Sequence, residues 1–194
     1  MGTTFRYVAD GALSPCGGEQ CHHCQRTDAP IYTYHGHILD PSLAEDPELA
    51  REEPDVSELC AECILGGNVR KGDVTMREIR PTIEAFAADK RRAAEEYHRT
   101  PNLPFFQGHT WPACCGEFAE YVGDHPTAGT AFGDYEPWQP MNRLVAQFKL
   151  EDFYPLAKLP VMHTMALFRC LHCARRYWVF QYSGLFWRGP LAEG

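Results

Sequence analysis

Three Cys-x-x-Cys pairs and one adjacent cysteine pair dominate this 194-residue sequence. The pairs are "CHHC" at 21–24, "CAEC" at 60–63 and "CLHC" at 170–173, and "CC" stands at 114–115. The total of nine cysteines is odd, and the start "MGTTFRYVAD" lacks the basic region and apolar stretch of a secretory signal. A disulfide framework is therefore disfavoured. A Cys-x-x-Cys turn aims two thiolates at one cation, so the sequence predicts structural Zn²⁺ sites in a cytoplasmic protein.

The first two pairs predict one zinc site, with the ligands Cys21, Cys24, Cys60 and Cys63. The 35-residue spacer between them contains an acidic, proline-bearing stretch at 40–58, which is typical of a surface insertion. The β-forming segment "IYTYHGHIL" follows the first pair, and the second pair stands where a short helix ending at Gly66 or Gly67 can begin. A cysteine knuckle combined with a helix-start pair indicates a treble-clef-like arrangement.

The last pair, Cys170 and Cys173, needs partners for a second zinc site, and Cys114 and Cys115 are the candidates. Side chains of adjacent residues diverge, so the fourth ligand stays open at this stage. Cys114 is the first candidate for it, and the histidines that follow are His109, His98 and His172. Redox catalysis by this pair is disfavoured, because the pair lies between β-like segments and not at the start of a helix.

The remaining sequence predicts a small α+β fold, in which two short helices and β-hairpins surround treble-clef or zinc-ribbon-like knuckles. Residues 82–98 have an apolar helical face with Pro81 placed for the first turn, and "MNRLVAQFKLEDF" from 141 predicts a second helix. "HTMALFRC" and "RRYWVFQ" predict two strands joined by the last cysteine turn. We predict a single zinc-stabilised domain over 1–194, comprising an N-terminal zinc module at about 5–72, a loop-rich middle at about 73–160 and a C-terminal hairpin at about 161–183.

The sequence favours a non-catalytic protein. It contains no GxSxG, no phosphate loop, no HExxH and no HxE of the zinc deaminases. Glu117 could serve a zinc-bound water, but a four-cysteine site has no open coordination position. A metal-dependent enzyme of unknown reaction is the alternative. The sequence has no run of about 18 apolar residues, so it predicts no membrane span. It also indicates no small-molecule substrate.

Seven short segments, in order, resemble the CbrC family: "FRYVAD", the pair at 21–24, "IYTY", "LCAECILGG", "HRTP", "CCGEFAEYVG" and "LFRCLHC". The resemblance runs from about residue 5 to 181. In the family's central motif a histidine and a second cysteine stand where this chain has Cys114 and Ala119. Cys114 keeps a possible zinc ligand, whereas Ala119 cannot bind metal. The resemblance implies a small bacterial protein linked to tolerance of a DNase-type colicin.

The formal net charge of −8 fits a basic protein partner better than nucleic acid. With the resemblance, it predicts an immunity or tolerance protein that binds and neutralises a basic nuclease toxin, since nucleases act on a polyanion. The candidate contacts are Asp46, Glu48, Glu52, Glu53 and Asp55. The alternative is a zinc-ribbon regulator that contacts nucleic acid or the transcription machinery through Arg175, Arg176, Tyr177 and Trp178.

Overall fold

The computed structural model describes residues 2–39, 55–103, 111–124, 134–138 and 165–180. Within these ranges the elements, in chain order, are β1 (Ile31–Ile38), β2 (Asp55–Cys60), α1 (Ala61–Leu65), β3 (Val69–Lys71), α2 (Asp73–Phe86), α3 (Lys90–His98), β4 (Ala113–Cys114), β5 (Glu117–Phe118), β6 (Glu120–Asp124), β7 (Tyr135–Pro137), β8 (Met165–Arg169) and β9 (Arg176–Phe180). These short helices, hairpins and small sheets confirm the predicted α+β class. No helix in the described ranges is long and apolar enough to cross a membrane.

The first sheet has the strand order β2–β1–β3, and both outer strands run antiparallel to β1. The β-forming segment after the first cysteine pair forms β1, as predicted. The register shifts between Thr33 and Gly36. A Cβ on Gly36 would lie 2.0 Å from the carbonyl oxygen of Arg70 on β3. Glycine at this position therefore allows the backbones of β1 and β3 to approach each other.

The prediction of an acidic surface insertion over 40–58 is wrong at its C-terminal end. Residues 55–58 belong to β2, where Val56 and Leu59 are buried. Those two apolar side chains anchor the strand against the core, and this outweighs the acidic composition that precedes it. Residues 40–54, like the helix predicted from 141, lie outside the described residues.

Residues 82–98 do not form one helix, and Pro81 is not in a first turn. Instead α2 begins at Asp73 and contains Pro81, while its buried face is Thr75, Ile79 and Ile83. Burial on both sides of the proline compensates for the backbone hydrogen bond that Pro81 cannot donate. The chain then breaks at residues 87–89, where the N–H of Ala88 donates to the Gly116 carbonyl at 2.8 Å. Asp89 starts α3 by accepting from the N–H of Arg92 at 2.9 Å.

The second sheet has the strand order β6–β8–β9–β7. The predicted C-terminal hairpin is confirmed, since β8 and β9 pair antiparallel from Met165↔Phe180 to Arg169↔Arg176. The N-terminal segment runs beside β6: Ala9 N–H donates to the carbonyl of Tyr121, and Tyr121 N–H donates to that of Tyr7, each at 2.8 Å. The start of the chain is thereby joined to its C-terminal half.

Aromatic rings from distant segments form the centre of the core. Trp111 lies 5.5 Å from Phe168 and 5.6 Å from Tyr97 between ring centroids, in edge-to-face geometry. Its indole N–H donates to the carbonyl of Ala119 at 2.7 Å, so the buried polar atom is satisfied. Phe118 packs edge-on against Tyr7 at 5.4 Å. This cluster lies directly behind the turns that carry Cys114, Cys115, Cys170 and Cys173.

Candidate metal centres

Four cysteines from three elements meet at what we call centre 1: Cys21, Cys24, Cys60 and Cys63. The first two lie in the turn before β1, Cys60 ends β2 and precedes α1, and Cys63 lies within α1. The four sulfur atoms lie within 4.8 Å of one another, and the Cys24 and Cys60 sulfurs are 3.8 Å apart. Three of the four side chains are buried and only Cys24 is exposed.

A tight backbone knuckle positions the first two sulfurs. The N–H of Cys21 donates to the Arg26 carbonyl at 3.0 Å, and the N–H of Gln25 donates to the Cys21 carbonyl at 2.9 Å. Gln25 has a φ of 62°, a left-handed conformation that turns the chain back sharply. The second pair, as predicted, flanks the start of a short helix, whose last turn is followed by Gly66 and Gly67.

The remaining set of cysteines, centre 2, consists of Cys114, Cys115, Cys170 and Cys173. Its knuckle repeats the geometry of centre 1: the N–H of Cys170 donates to the Arg175 carbonyl at 2.7 Å, and Ala174 has a φ of 58°. The four sulfurs again lie within 4.8 Å of one another, with Cys114 and Cys173 at 3.6 Å. Centre 2 thus joins the β8–β9 turn to the β4–β5 turn.

A hairpin turn explains how adjacent cysteines reach one centre. Cys114 pairs with Glu117, so Cys115 and Gly116 form a two-residue loop. Their φ angles are 54° and 82°, the two positive values that a type I′ hairpin turn requires. In this turn the side chain of Cys115 no longer diverges from that of Cys114 as it would on an extended strand. Their sulfurs are 3.8 Å apart, so no histidine is needed to complete the set.

The sulfur geometry suits a tetrahedral metal ion. Four sulfurs at about 2.3 Å from one zinc ion are about 3.8 Å apart. The sulfur–sulfur distances of 3.8 Å in centre 1 and of 3.6 and 3.8 Å in centre 2 match this spacing. A disulfide would bring two sulfurs to about 2.05 Å, and all nine cysteines are free thiols. Both tetrads therefore fit a metal ion bound by thiolates.

The ionisation of the thiols also bears on metal binding. Burial opposes ionisation of Cys21, but three backbone N–H groups outweigh it and lower the pKa of its thiol to about 7. At Cys173 the backbone N–H of Arg175 is the main cause of a pKa lowered to about 7. Burial raises the pKa of Cys114 to about 12 and also raises that of Cys63. Within each centre the thiols thus differ in how readily they ionise, and a bound cation would favour the thiolate form of all four.

A polar network supports centre 2 and was not predicted from the sequence. The carboxylate of Glu117 accepts from Arg6 Nη2 at 2.9 Å and contacts His172 Nε2 at 3.0 Å. The Tyr177 hydroxyl donates to the sulfur of Cys114 at 3.1 Å. Glu117, considered above as a partner for zinc-bound water, is thus held by an arginine and a histidine. In centre 1, His23 Nδ1 lies 3.3 Å from the sulfur of Cys63.

Of the three histidine candidates, His98 and His172 are not part of either tetrad. His98 accepts through Nδ1 from the Lys71 N–H at 3.2 Å, and burial lowers the pKa of its imidazole to about 4. His109 lies outside the described residues, as do four of the acidic candidates, Asp46, Glu48, Glu52 and Glu53. The fifth, Asp55, opens β2 opposite His37.

The predicted basic-aromatic edge of the C-terminal hairpin is only partly engaged within the protein, because Arg175 and Arg176 are exposed. Tyr177 is buried, and Arg176 pairs with Asp134 at 3.6 Å while its guanidinium lies 5.6 Å from the centroid of the Tyr135 ring. Base stacking needs an aromatic face open to solvent. Tyr177 is therefore not available for base stacking, and nucleic-acid binding through this edge stays a prediction.

Comparison with known proteins gives the family of the chain. A family model described as "Uncharacterised protein family (UPF0167)" matches residues 3–181. The chain belongs to this family. The match includes all eight cysteines of the two centres and the Arg6 that supports centre 2. No curated protein and no solved structure matches the chain.

Proposed function

We propose that this protein is a zinc-binding scaffold with one structural Zn²⁺ ion in each tetrad. The observation that carries the proposal is the convergence, twice in one chain, of four thiols within 4.8 Å. Thiolate sets in tetrahedral array favour zinc, and a four-cysteine site leaves no coordination position for substrate or water. The chemistry therefore favours a frame over a catalyst.

The role of each ion is to join turns that lie far apart in the sequence. Centre 1 would tie the turn before β1 to the junction of β2 and α1, and centre 2 would tie the β4–β5 turn to the β8–β9 turn. In centre 2, 54 residues lie between Cys115 and Cys170. Closing such a loop costs conformational entropy, and metal bonding offsets it.

Elemental analysis of the purified protein tests this proposal directly. We expect two zinc ions per chain, and we expect prolonged treatment with a strong chelator to lower the unfolding temperature and reduce helix and sheet circular dichroism. The control is Cys16→Ser, which alters an exposed cysteine outside both centres and should keep both ions. A metal-free protein that stays folded in chelator would refute the proposal.

We further propose that the acidic segment of residues 40–55 binds a cationic protein surface. This segment contains seven Asp or Glu residues and one Arg, so it carries six of the eight net negative charges of the chain. Such a concentration of charge attracts a basic partner over long range. Together with the resemblance to CbrC proteins, it supports a DNase-type colicin as the partner, with the contacts Asp46, Glu48, Glu52, Glu53 and Asp55.

Titration of the zinc-loaded protein with a purified DNase-type colicin domain tests the partner. We expect binding that weakens steeply with salt, and loss of binding when the five acidic contacts are changed to their amides. A matched control changes Glu84 and Glu95, which form exposed ion pairs on α2 and α3, and should leave binding intact. Absence of binding at low salt, with both zinc ions in place, would refute the toxin proposal and leave the zinc scaffold standing.

A further inference from the structure

The two centres differ in how much of their sulfur reaches solvent. In centre 1, Cys21 is 0% exposed, Cys60 1% and Cys63 8%, so three sulfurs lie within the core. In centre 2 only Cys170 is buried, while Cys114 is half-buried and both others are exposed. An oxidant in solution therefore reaches two exposed cysteines in centre 2 and one in centre 1.

Among the exposed sulfurs of centre 2, Cys173 has the better-placed partner. Its sulfur lies 3.6 Å from that of Cys114, a residue 59 positions away on a different turn. The sulfur of Cys115 lies 3.8 Å from that of its own neighbour Cys114. Adjacent Cα atoms are about 3.8 Å apart, below the roughly 4.4 Å at which ordinary disulfides begin. Closure between Cys173 and Cys114 is therefore easier than closure between Cys115 and Cys114.

We propose that Cys173 is an oxidation site for hydrogen peroxide, that it closes to a disulfide with Cys114, and that this releases zinc from centre 2 while centre 1 keeps its ion. The inference rests on the proposed function, because it requires zinc in both centres. The Cys173 thiolate attacks one peroxide oxygen, the O–O bond breaks, and a sulfenic acid and one hydroxide form. The Cys114 thiolate then attacks that sulfur and displaces a second hydroxide.

The reaction balances without a further reagent. Two thiolates lose two electrons to form one S–S bond, and the peroxide gains them to give two hydroxides. The zinc ion is left with Cys115 and Cys170 as its remaining thiolates, and two ligands bind it far more weakly than four. The new disulfide still joins the β4–β5 turn to the β8–β9 turn, so these two turns stay cross-linked when the metal leaves.

Centre 1 has an exposed sulfur as well, but its second sulfur is less accessible. Cys24 faces solvent, and the sulfur of Cys60 lies 3.8 Å away. Cys60 is fixed at the junction of β2 and α1 with 1% of its surface exposed. Cys114, by contrast, sits beside a hairpin loop and is partly open. The second step of closure is therefore slower in centre 1.

The test treats the zinc-loaded full chain with hydrogen peroxide and follows released zinc with a metal-binding dye. We expect two phases, with one zinc per chain released several-fold faster than the other. After the first phase, alkylation of remaining thiols and peptide mass spectrometry should find Cys114 joined to Cys173, with all centre 1 cysteines reduced. Reduction with dithiothreitol and added zinc should restore two ions. The Cys16→Ser protein serves as control for peroxide consumed by that exposed thiol.

Three results would overturn the inference: release of both ions in one phase, a first disulfide within centre 1, or a first modification of centre 2 that does not include Cys173. The zinc content before peroxide is added separates the two proposals. Fewer than two ions at that stage would refute the zinc scaffold and the oxidation site together. Two ions at the start followed by any of the three results would refute the oxidation site alone.

Discussion

We expect the stability of the wild type to rise as the pH is raised above neutral. Lys71→Met should stabilise the protein at neutral pH and should abolish that rise. Lys71 is 3% exposed, and its Nζ donates to Asn102 Oδ1 at 2.7 Å. The same atom lies over the rings of Tyr34 and Tyr97, 4.6 and 5.3 Å from their centroids. No carboxylate pairs with it in the described part of the chain. Burial without a counter-charge lowers the pKa of Lys71 from 10.5 to about 7.

The magnitude follows from that pKa. Because the folded-state value lies below the unfolded-state value, the unfolded chain binds more protons between them, and stability rises with pH in this window. Below pH 7 the penalty of burying the charged amine is complete, at about 5 kcal/mol. Between pH 7 and about pH 9 the wild type recovers about 2 kcal/mol of it. Methionine carries no charge, and Asn102 Oδ1 still accepts from the N–H of His35 at 3.1 Å.

Urea unfolding of both zinc-loaded proteins at several pH values measures the effect. The difference in the free energy of unfolding between wild type and Lys71→Met isolates the lysine, since the tyrosine and cysteine ionisations are common to both. Lys90→Met is the matched control, because Lys90 is 53% exposed and pairs with Glu84 at the surface. Its difference from wild type should stay flat with pH. A difference for Lys71→Met that is equally flat from pH 7 to about pH 9 would refute the account of a buried, uncompensated amine.

Three further substitutions test the frame. Cys60→Ser should remove one zinc ion and about 5 kcal/mol or more of stability, measured by metal analysis and urea unfolding, whereas Cys16→Ser should change neither. Gly116→Ala should lower the free energy of unfolding by about 2–4 kcal/mol and weaken zinc binding at centre 2. The reason is that the φ of Gly116 is 82° and the new Cβ would lie 2.8 Å from the Cβ of Ala88. An unchanged unfolding midpoint and an unchanged zinc affinity would contradict this. Glu117→Gln should keep both ions but cost about 1–3 kcal/mol at pH 7, because Arg6 loses its charged partner. Equal unfolding midpoints for Glu117→Gln and wild type would argue against that network.

The features of the fold that could be predicted from the sequence are those that depend on short, local patterns of residues. The Cys-x-x-Cys spacing and the β-forming residues beside it identified β1, the short helix after Cys60 and the C-terminal hairpin. The grouping of the cysteines into two sets also followed, because sulfur has few other roles at that density in a protein without a disulfide framework. These features depend on local composition and on one strong chemical preference.

What the sequence did not predict depends on contacts between distant residues. The break between α2 and α3 depends on Gly116, a residue distant in the sequence, whose carbonyl accepts a hydrogen bond from the N–H of Ala88. The joint use of Cys114 and Cys115 depends on two positive φ angles in a tight turn, and a cysteine is not the residue usually expected there. The contact of Arg6 with Glu117 spans 111 positions. No periodicity in the sequence marks such pairs.

The two centres contribute differently to the same fold. Cys21 and Cys60 are as buried as the aliphatic residues around them, so an ion bound at centre 1 would be part of the first sheet's core. Removing it would leave four sulfurs without a common partner, and burial raises the pKa of two of them, Cys60 and Cys63. Centre 2 lies at the rim of the aromatic cluster, where Trp111, Phe118 and Phe168 pack without any sulfur ligand between them. Loss of its ion should therefore loosen two turns and leave the core packed, and Cys173→Ser should destabilise the protein less than Cys60→Ser.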